Sequence, residues 1–327
     1  MKLRRPIHLI LDWDGTLTRK DTLSLVGSIA YHANSSRCLP PWSDFVNGYM
    51  NDYTEHASRY EPTSSARTTI DQERQWLASL TPIENKSVQR VESSRIFEGV
   101  KASHVDHVAA SSIENGDLQL RSDWDSLFQT LLSSPNNKIS ILSVNWSARF
   151  IRQSLLPASS KLTSPANETL HSYVTGMDIR ANEICNLESA EGSDGRLSKD
   201  SSHGIRTSAD KLSHLPLRCQ QKLEICALTR EFAEQQDDLV VYIGDSATDL
   251  EALLAADVGI CIRDDPMGSS QRELAETLHR IGVDVRSINE DIDLKRAADG
   301  QMVVYWTRGF DSVVKALSKL EVSLRSH

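Results

Sequence analysis

The chain has 327 residues, with 36 Lys and Arg against 45 Asp and Glu, a formal net charge of −9. That acidic balance excludes a broad nucleic-acid surface, which needs basic patches to replace the counterions around phosphates, and no apolar run approaches the roughly 18 residues of a membrane-spanning helix. The length exceeds that of a usual single domain, so one core plus a second module is expected, and 39% hydrophobic residues are ample to bury it.

Lys2, Arg4 and Arg5 precede an apolar stretch too short for the h-region of a signal peptide. The expectation is a cytoplasmic protein, with nuclear access left open. Cys38, Cys185, Cys219, Cys226 and Cys261 are scattered and odd in number, without a Cys-x-x-Cys spacing. Neither a disulfide framework nor a zinc site is expected from them.

The first strong signal is Ile7-His8-Leu9-Ile10-Leu11-Asp12-Trp13-Asp14-Gly15-Thr16, an apolar run discharging into two carboxylates and a glycine. It reads as a buried strand, and in an open α/β sheet ligands bind beyond the carboxyl ends of such strands. From there the pattern is helical for about a hundred residues. Asp21 and Thr22 can cap a helix carrying Leu23, Leu25, Val26 and Ile29, and Pro40-Pro41-Trp42-Ser43 starts a second with Phe45, Val46, Tyr49 and Met50. Trp76, Leu77 and Leu80 mark a third, and Val88, Val91 and Phe97 lie near a fourth. An all-helical block inserted directly after a candidate catalytic strand is a lid by position.

The α/β alternation resumes where Ser122 or Asp123 can cap a helix bearing Leu127, Phe128, Leu131 and Leu132. Pro135-Asn136-Asn137 then turns the chain into a strand, Lys138-Ile139-Ser140-Ile141-Leu142-Ser143. A helix is expected over Ala148 to Leu156 and a strand over Gly176 to Ile184, while Asn186 to Gly204, rich in Ser, Gly and Asp, reads as a mobile surface excursion. A helix over Gln221 to Glu234 precedes a second apolar strand, Leu239-Val240-Val241-Tyr242-Ile243, which ends in Gly244-Asp245 with Asp249 four residues on. Leu250, Leu253 and Leu254 repeat at helical spacing, Val258 to Ile262 is a short strand, Ser269 to Ile281 is amphipathic, and Gly309 to Leu324 is a closing helix. Two strands that each release aspartates at their carboxyl ends would gather carboxylates into a small volume. Their repulsion calls for a cation, and oxygen-only ligands point to Mg²⁺.

These motifs resemble those of the haloacid dehalogenase-like (HAD) hydrolases, in particular their aspartate-nucleophile phosphatases. Asp12-Trp13-Asp14-Gly15-Thr16 matches the family's Asp-x-Asp-Gly-Thr pattern, and Gly244-Asp245-Ser246-Ala247-Thr248-Asp249 its Gly-Asp-x-x-x-Asp motif. Ser143 stands where the family places a strand-end Ser or Thr, and Lys211, with Lys222 as the alternative, where it places a lysine. The resemblance implies an α/β fold, a Rossmann-like doubly wound parallel sheet core over 1–20 and 121–327, with an inserted all-helical cap over 21–120. The spacing from Asp14 to Asp21 and Thr22 is similar to that of the phosphoserine-phosphatase-like branch, in which an acidic residue nine places after the nucleophile reads the substrate amine. Asp21 stands there as Asp rather than Glu. The whole chain looks most like uncharacterised fungal HAD-like hydrolases.

The resemblance also implies roles. Asp12 would be the nucleophile that forms an aspartyl-phosphate, and Asp14 the acid and base serving the leaving alcohol and then the water. Ser143 and Lys211 would hold the phosphoryl oxygens. Mg²⁺ would be held by Asp12, the Asp14 carbonyl and Asp245, with Asp249 completing the metal set or orienting Lys211. The expected activity is phosphatase action on a small phosphorylated metabolite, with no nucleic-acid or membrane partner. The alternatives are a phosphomutase or a low-turnover phospho-accepting regulatory protein of the same fold.

Overall fold

The computed structural model describes residues 5–160, 167–197, 204–224, 238–290, 292, 294 and 302–326. At its centre lies a parallel sheet of seven strands, β1 (Ile7–Leu11), β2 (Lys138–Leu142), β3 (Asp178–Arg180), β4 (Leu239–Gly244), β5 (Val258–Ile262), β6 (Asp284–Ser287) and β7 (Val303–Thr307), in the order β3-β2-β1-β4-β5-β7-β6. Every pairing is parallel. The chain builds outward from β1 in both directions, so a crevice opens at the carboxyl ends of β1 and β4. Leu11 pairs with Ile141 on one side and Ile243 on the other, which brings Asp12 level with the ends of β2 and β4.

Side chains alternate across the sheet. Leu9, Leu11, Ile139, Ile141, Val241 and Ile243 join one buried cluster, while Ile10, Leu142, Val240 and Tyr242 join another on the opposite face. Every residue of β4 is buried, and each such aliphatic side chain contributes about 1.5–3 kcal/mol relative to exposure.

Between β1 and the next core helix lie α1 (Leu23–Ala33), α2 (Trp42–Arg59), α3 (Ile70–Ser79), α4 (Thr81–Ser94) and α5 (Ala102–Asn115). The chain leaves and re-enters the core side by side. Thr18 bridges Leu120 in antiparallel sense, Arg19 N–H donates to Gln119 C=O at 2.9 Å, and Arg121 N–H donates to Leu17 C=O at 2.8 Å. The helical block is pinned to the core on the far side as well, by Arg74 on Glu251 at 2.6 Å and by Glu73 accepting from both Arg67 and Arg280.

The remaining helices are α6 (Trp124–Leu132), α7 (Ala148–Ser160), α8 (Asn167–Gly176), α9 (Ser208–Ser213), α10 (Leu217–Glu224), α11 (Leu250–Ala255), α12 (Ser269–Arg280) and α13 (Phe310–Ser326). Several sequence expectations change. The strand expected over Gly176 to Ile184 shrinks to three residues, because β3 is an edge strand whose residues are exposed or half-buried. Neither Ser122 nor Asp123 makes a side-chain cap on α6; Asp123 takes the N-cap position with φ +64°. The excursion from Asn186 is anchored as far as it is described. Leu187, Ser193 and Leu197 are buried, Ser193 exchanges backbone bonds with Gly99 and Val100, and Leu197 N–H reaches Glu92. Its residues 198–203 lie outside the described residues, as does 225–234 of the helix expected over Gln221 to Glu234. Among the described residues, no helix is long and apolar enough to cross a membrane.

Candidate active site

The turn after β1 is shaped by a glycine. Gly15 has φ +72°, and a Cβ there would lie 2.3 Å from Asp245 Oδ2, so the turn and the end of β4 approach closely only without a side chain. Arg121, 2% exposed, braces this turn from below. Its guanidinium donates to Thr16 C=O at 3.0 Å and Gly15 C=O at 2.9 Å and forms a bidentate pair with Asp264 at 2.6 and 3.2 Å.

Asp12 is buried at the end of β1, and its amide continues the sheet to Ile243 C=O at 2.9 Å. Lys211 approaches it from α9, a six-residue helix started by Thr207, whose hydroxyl accepts from Asp210 N–H while the Asp210 carboxylate accepts from Thr207 N–H. The Lys211 ammonium has no exposed surface and stands 2.8 Å from Asp12 Oδ1 and 2.6 Å from Asp249 Oδ1. The contact with Asp12 is an ion pair, and among the described residues no other group donates to the buried Asp12 Oδ1. Lys222 is elsewhere, donating to Ala256 C=O.

Asp249 is saturated. Its Oδ1 accepts from Lys211 and from the Tyr242 hydroxyl, both at 2.6 Å, and its Oδ2 from the amides of Asp245 and Ser246 at 3.1 Å and the Ser246 hydroxyl at 3.0 Å. Gly244 makes this wrap possible, since a Cβ there would meet Asp249 Cγ at 2.3 Å. Asp245 differs: among the described residues its carboxylate has only long contacts, 3.3 Å from the Thr16 and Ser270 hydroxyls. Asp12, Asp245 and Asp249 each offer an oxygen within 4.8 Å of the others. An oxygen-only set with a buried acceptor on Asp12 and open lone pairs on Asp245 suits Mg²⁺.

Three carboxylates face one ammonium, and their protonation reflects it. Burial, then the charge of Asp249, pushes Asp12 well above the usual carboxylate range against the opposing pull of Lys211. Burial and the Asp249 charge lift Asp245 to about 7. Burial alone would lower Lys211, but Asp12 and Asp249 outweigh it and hold the ammonium protonated.

Asp14, half-buried, is not one of the three clustered carboxylates. Its Oδ1 accepts from Thr22 N–H at 2.7 Å and the Thr22 hydroxyl at 2.6 Å, and its Oδ2 from Asn145 Nδ2 at 3.0 Å. Burial and the nearby Asp21 charge raise it to about 6 in spite of those bonds. Ser143 is fully buried at the end of β2, its hydroxyl accepting from Asn145 N–H at 3.1 Å. The exposed Asp21 accepts from Leu23 N–H at 2.8 Å.

The structure thus gathers Asp12, Asp245, Asp249 and Lys211, and sets Asp14 and Ser143 at the ends of the adjoining strands. Sequence reasoning gives Thr16, Thr22, Arg121, Tyr242 and Ser270 no role in the site, and reads Asn145-Trp146-Ser147, just beyond Ser143, equally as a border of the pocket or as a packed indole. Tyr242 carried a signal of a kind: in an otherwise aliphatic strand, a buried phenol needs a polar partner.

No family model matches the chain. It is 24% identical over 316 residues to the CTO1 family protein C17G9.12c of Schizosaccharomyces pombe, covering 94% of this chain and 98% of that one. It is 23% identical over 263 residues to Cold tolerance protein 1 of Saccharomyces cerevisiae, covering 75% of each. Among solved structures it is similar to a phospho-aspartyl intermediate analogue of phosphoserine phosphatase, with TM-score 0.45, 11% identity, and 95% and 99% of the two chains covered. A HAD family hydrolase from Salmonella enterica serovar Typhi superimposes with TM-score 0.42 and 12% identity over 80% of this chain and 65% of that one.

Proposed function

We propose that this chain is a Mg²⁺-dependent phosphatase that hydrolyses a small phosphomonoester through an aspartyl-phosphate on Asp12. The observation that carries the reading is the buried Lys211 ammonium set between Asp12 and Asp249 with Asp245 alongside. A phosphate monoester repels nucleophiles, so its oxygens must be neutralised while the attacker is held in line. A buried carboxylate beside a buried ammonium and a cation-ready group meets both needs.

The Asp12 and Asp245 carboxylates, with the Asp14 carbonyl, would hold the ion, which when bound supplies charge neutralisation to the phosphoryl oxygens. Asp249 has no lone pair to spare and acts instead by fixing the Lys211 ammonium and the Tyr242 hydroxyl. An Asp12 oxygen attacks phosphorus as the ester P–O bond breaks, and Asp14 gives its proton to the departing alcohol. A water then attacks the aspartyl-phosphate, returns a proton to Asp14 and releases inorganic phosphate. Lys211 and the Ser143 hydroxyl stabilise the transferring group. The helical block, inserted directly after the β1 turn and paired to the core through Arg74 and Glu251, is the natural place for substrate selection, and the substrate class this reading implies is a small phosphorylated metabolite.

The test is hydrolysis of p-nitrophenyl phosphate and a panel of metabolite phosphates with and without Mg²⁺. Turnover should vanish with EDTA and return with Mg²⁺. Turnover untouched by chelation sinks the metal assignment, an isomerised product in place of free phosphate identifies a phosphomutase, and a stable aspartyl-phosphate without release identifies a phospho-accepting protein.

A further inference from the structure

Asn145 lies outside the motif residues, yet it is 1% exposed and every polar atom of it is engaged. Its N–H donates to Ser143 Oγ at 3.1 Å, and its C=O accepts from the amide and side chain of Asn182 at 3.0 and 3.1 Å. Its Oδ1 accepts from Ser147 N–H at 3.1 Å, which settles which way the side-chain amide points. Nδ2 must then face Asp14, and its two protons go to Asp14 Oδ2 at 3.0 Å and Thr22 Oγ1 at 3.1 Å. Ser147 is itself held by Glu183, which accepts from its hydroxyl at 2.6 Å.

Thr22 Oγ1 accepts from Asn145 and from the Trp13 indole N–H at 3.0 Å, a group that can only donate. The single Thr22 hydroxyl proton is therefore directed to Asp14 Oδ1 at 2.6 Å, alongside the Thr22 amide at 2.7 Å. Oδ1 receives two donors and Oδ2 one, so among the described hydrogen bonds the lone pair left open is on Oδ2.

We propose that Asn145 is a positioning residue that fixes the Asp14 carboxyl and makes Oδ2 the oxygen that exchanges the proton with the reacting group. This rests on the phosphatase reading. In the first half-reaction the proton on Oδ2 passes to the alcohol oxygen as the P–O bond breaks, and in the second Oδ2 takes one from the attacking water. Without the Asn145 donor the carboxyl can rotate about its remaining Thr22 bonds, and proton delivery loses its aim while phosphoryl binding is unaffected.

The experiment compares phenyl phosphate, whose leaving group needs a proton, with p-nitrophenyl phosphate, whose leaving group needs it far less. Asn145→Ala should lower kcat on phenyl phosphate on the order of tenfold more than on p-nitrophenyl phosphate, with KM little changed. Thr22→Val, which removes the hydroxyl at constant shape, should steepen the same dependence, and Thr22→Ser should restore it. Equal losses on both esters in both variants would mean a merely structural role and overturn the proposal. Should the wild type hydrolyse neither ester, the phosphatase reading fails, and the positioning claim is then decided by crystal structures: an Asp14 carboxyl rotated in Asn145→Ala or Thr22→Val supports it, and one unmoved in both overturns it.

Discussion

Lys211 answers two buried carboxylates with one charge, and that imbalance sets what its removal does. Lys211→Met leaves Asp12 and Asp249 facing each other without a cation, and breaking a buried ion pair costs about 3–5 kcal/mol. On the proposed function, Mg²⁺ held by Asp12 and Asp245 would relieve part of that loss. The phosphoryl group also loses a fixed positive partner, so kcat should fall by roughly 10²–10³. Lys211→Arg should not restore it, because a planar fork does not fit where a compact ammonium has no exposed surface. Urea midpoints in EDTA and in Mg²⁺, read beside kcat, check both halves, and wild-type turnover in Lys211→Met would contradict the assigned role. The four aspartates were legible because each follows an apolar run within a few residues. Lys211 was harder to single out, since one lysine on a polar stretch looks like any other until Thr207 and Asp210 are seen to cap a short helix beneath it. The bonds of Tyr242 and Asn145 were not legible: the phenol meets Asp249 only because the turn after β4 folds back on its own strand, and the Asn145 partners, Asp14 and Thr22, lie in another loop.

At the level of elements, the β1 turn shows how a segment borrows rigidity from distant residues. Its backbone is non-helical at Asp14 and Gly15, and Arg121, arriving where the chain returns from the helical block, donates to the Gly15 and Thr16 carbonyls. Arg121→Met should lower stability by about 2 kcal/mol, since it strands two carbonyls and half-exposes the Asp264 partner to solvent rather than burying it unpaired. It should also loosen the turn and reduce kcat more than KM. Urea unfolding with steady-state kinetics tests this, and an unchanged midpoint with unchanged kcat would remove Arg121 from the account. The start of α1 shows why local rules gave the right element and the wrong bond. Thr22 does occupy the N-cap, but its hydroxyl is drawn to Asp14 and makes no side-chain cap, while Asp21 takes the Leu23 amide. The strands β6 and β7 went unread for different reasons. Asp284-Val285-Arg286-Ser287 is a half-buried edge without apolar alternation, whereas Val303 to Thr307 has strand composition but stands isolated after a polar stretch.

For the molecule as a whole, the carboxylate cluster ties stability to pH, and on the proposed function to Mg²⁺ as well. Asp14 at about 6, Asp245 at about 7 and Asp12, which burial pushes well above its usual range, all titrate above the ordinary carboxylate value of 3.8. Between that value and about 7 the folded metal-free protein binds more protons than the unfolded chain, so its stability is full below the lower limit and falls as pH rises through the window. The usual paired carboxylate behaves in the opposite way. On the proposed function, Mg²⁺ would neutralise the carboxylates in place of those protons, so its binding would release them and its affinity would rise with pH. A ligand at a hundred times its Kd adds about 2.7 kcal/mol, which for a chain of this length is a Tm rise of about 4 °C. The Mg²⁺-induced rise should therefore be small near about pH 5, where protons already neutralise the cluster, and approach its full size near about pH 8. Asp245→Asn removes one of the three groups that titrate and a ligand with open lone pairs, so it should make the metal-free decline shallower and abolish the Mg²⁺ shift. Thermal melts at the two pH values, with Mg²⁺ or with EDTA, separate the cases: a shift of equal size at both, or one that survives in Asp245→Asn, would place the ion somewhere other than beside Asp12 and Asp245.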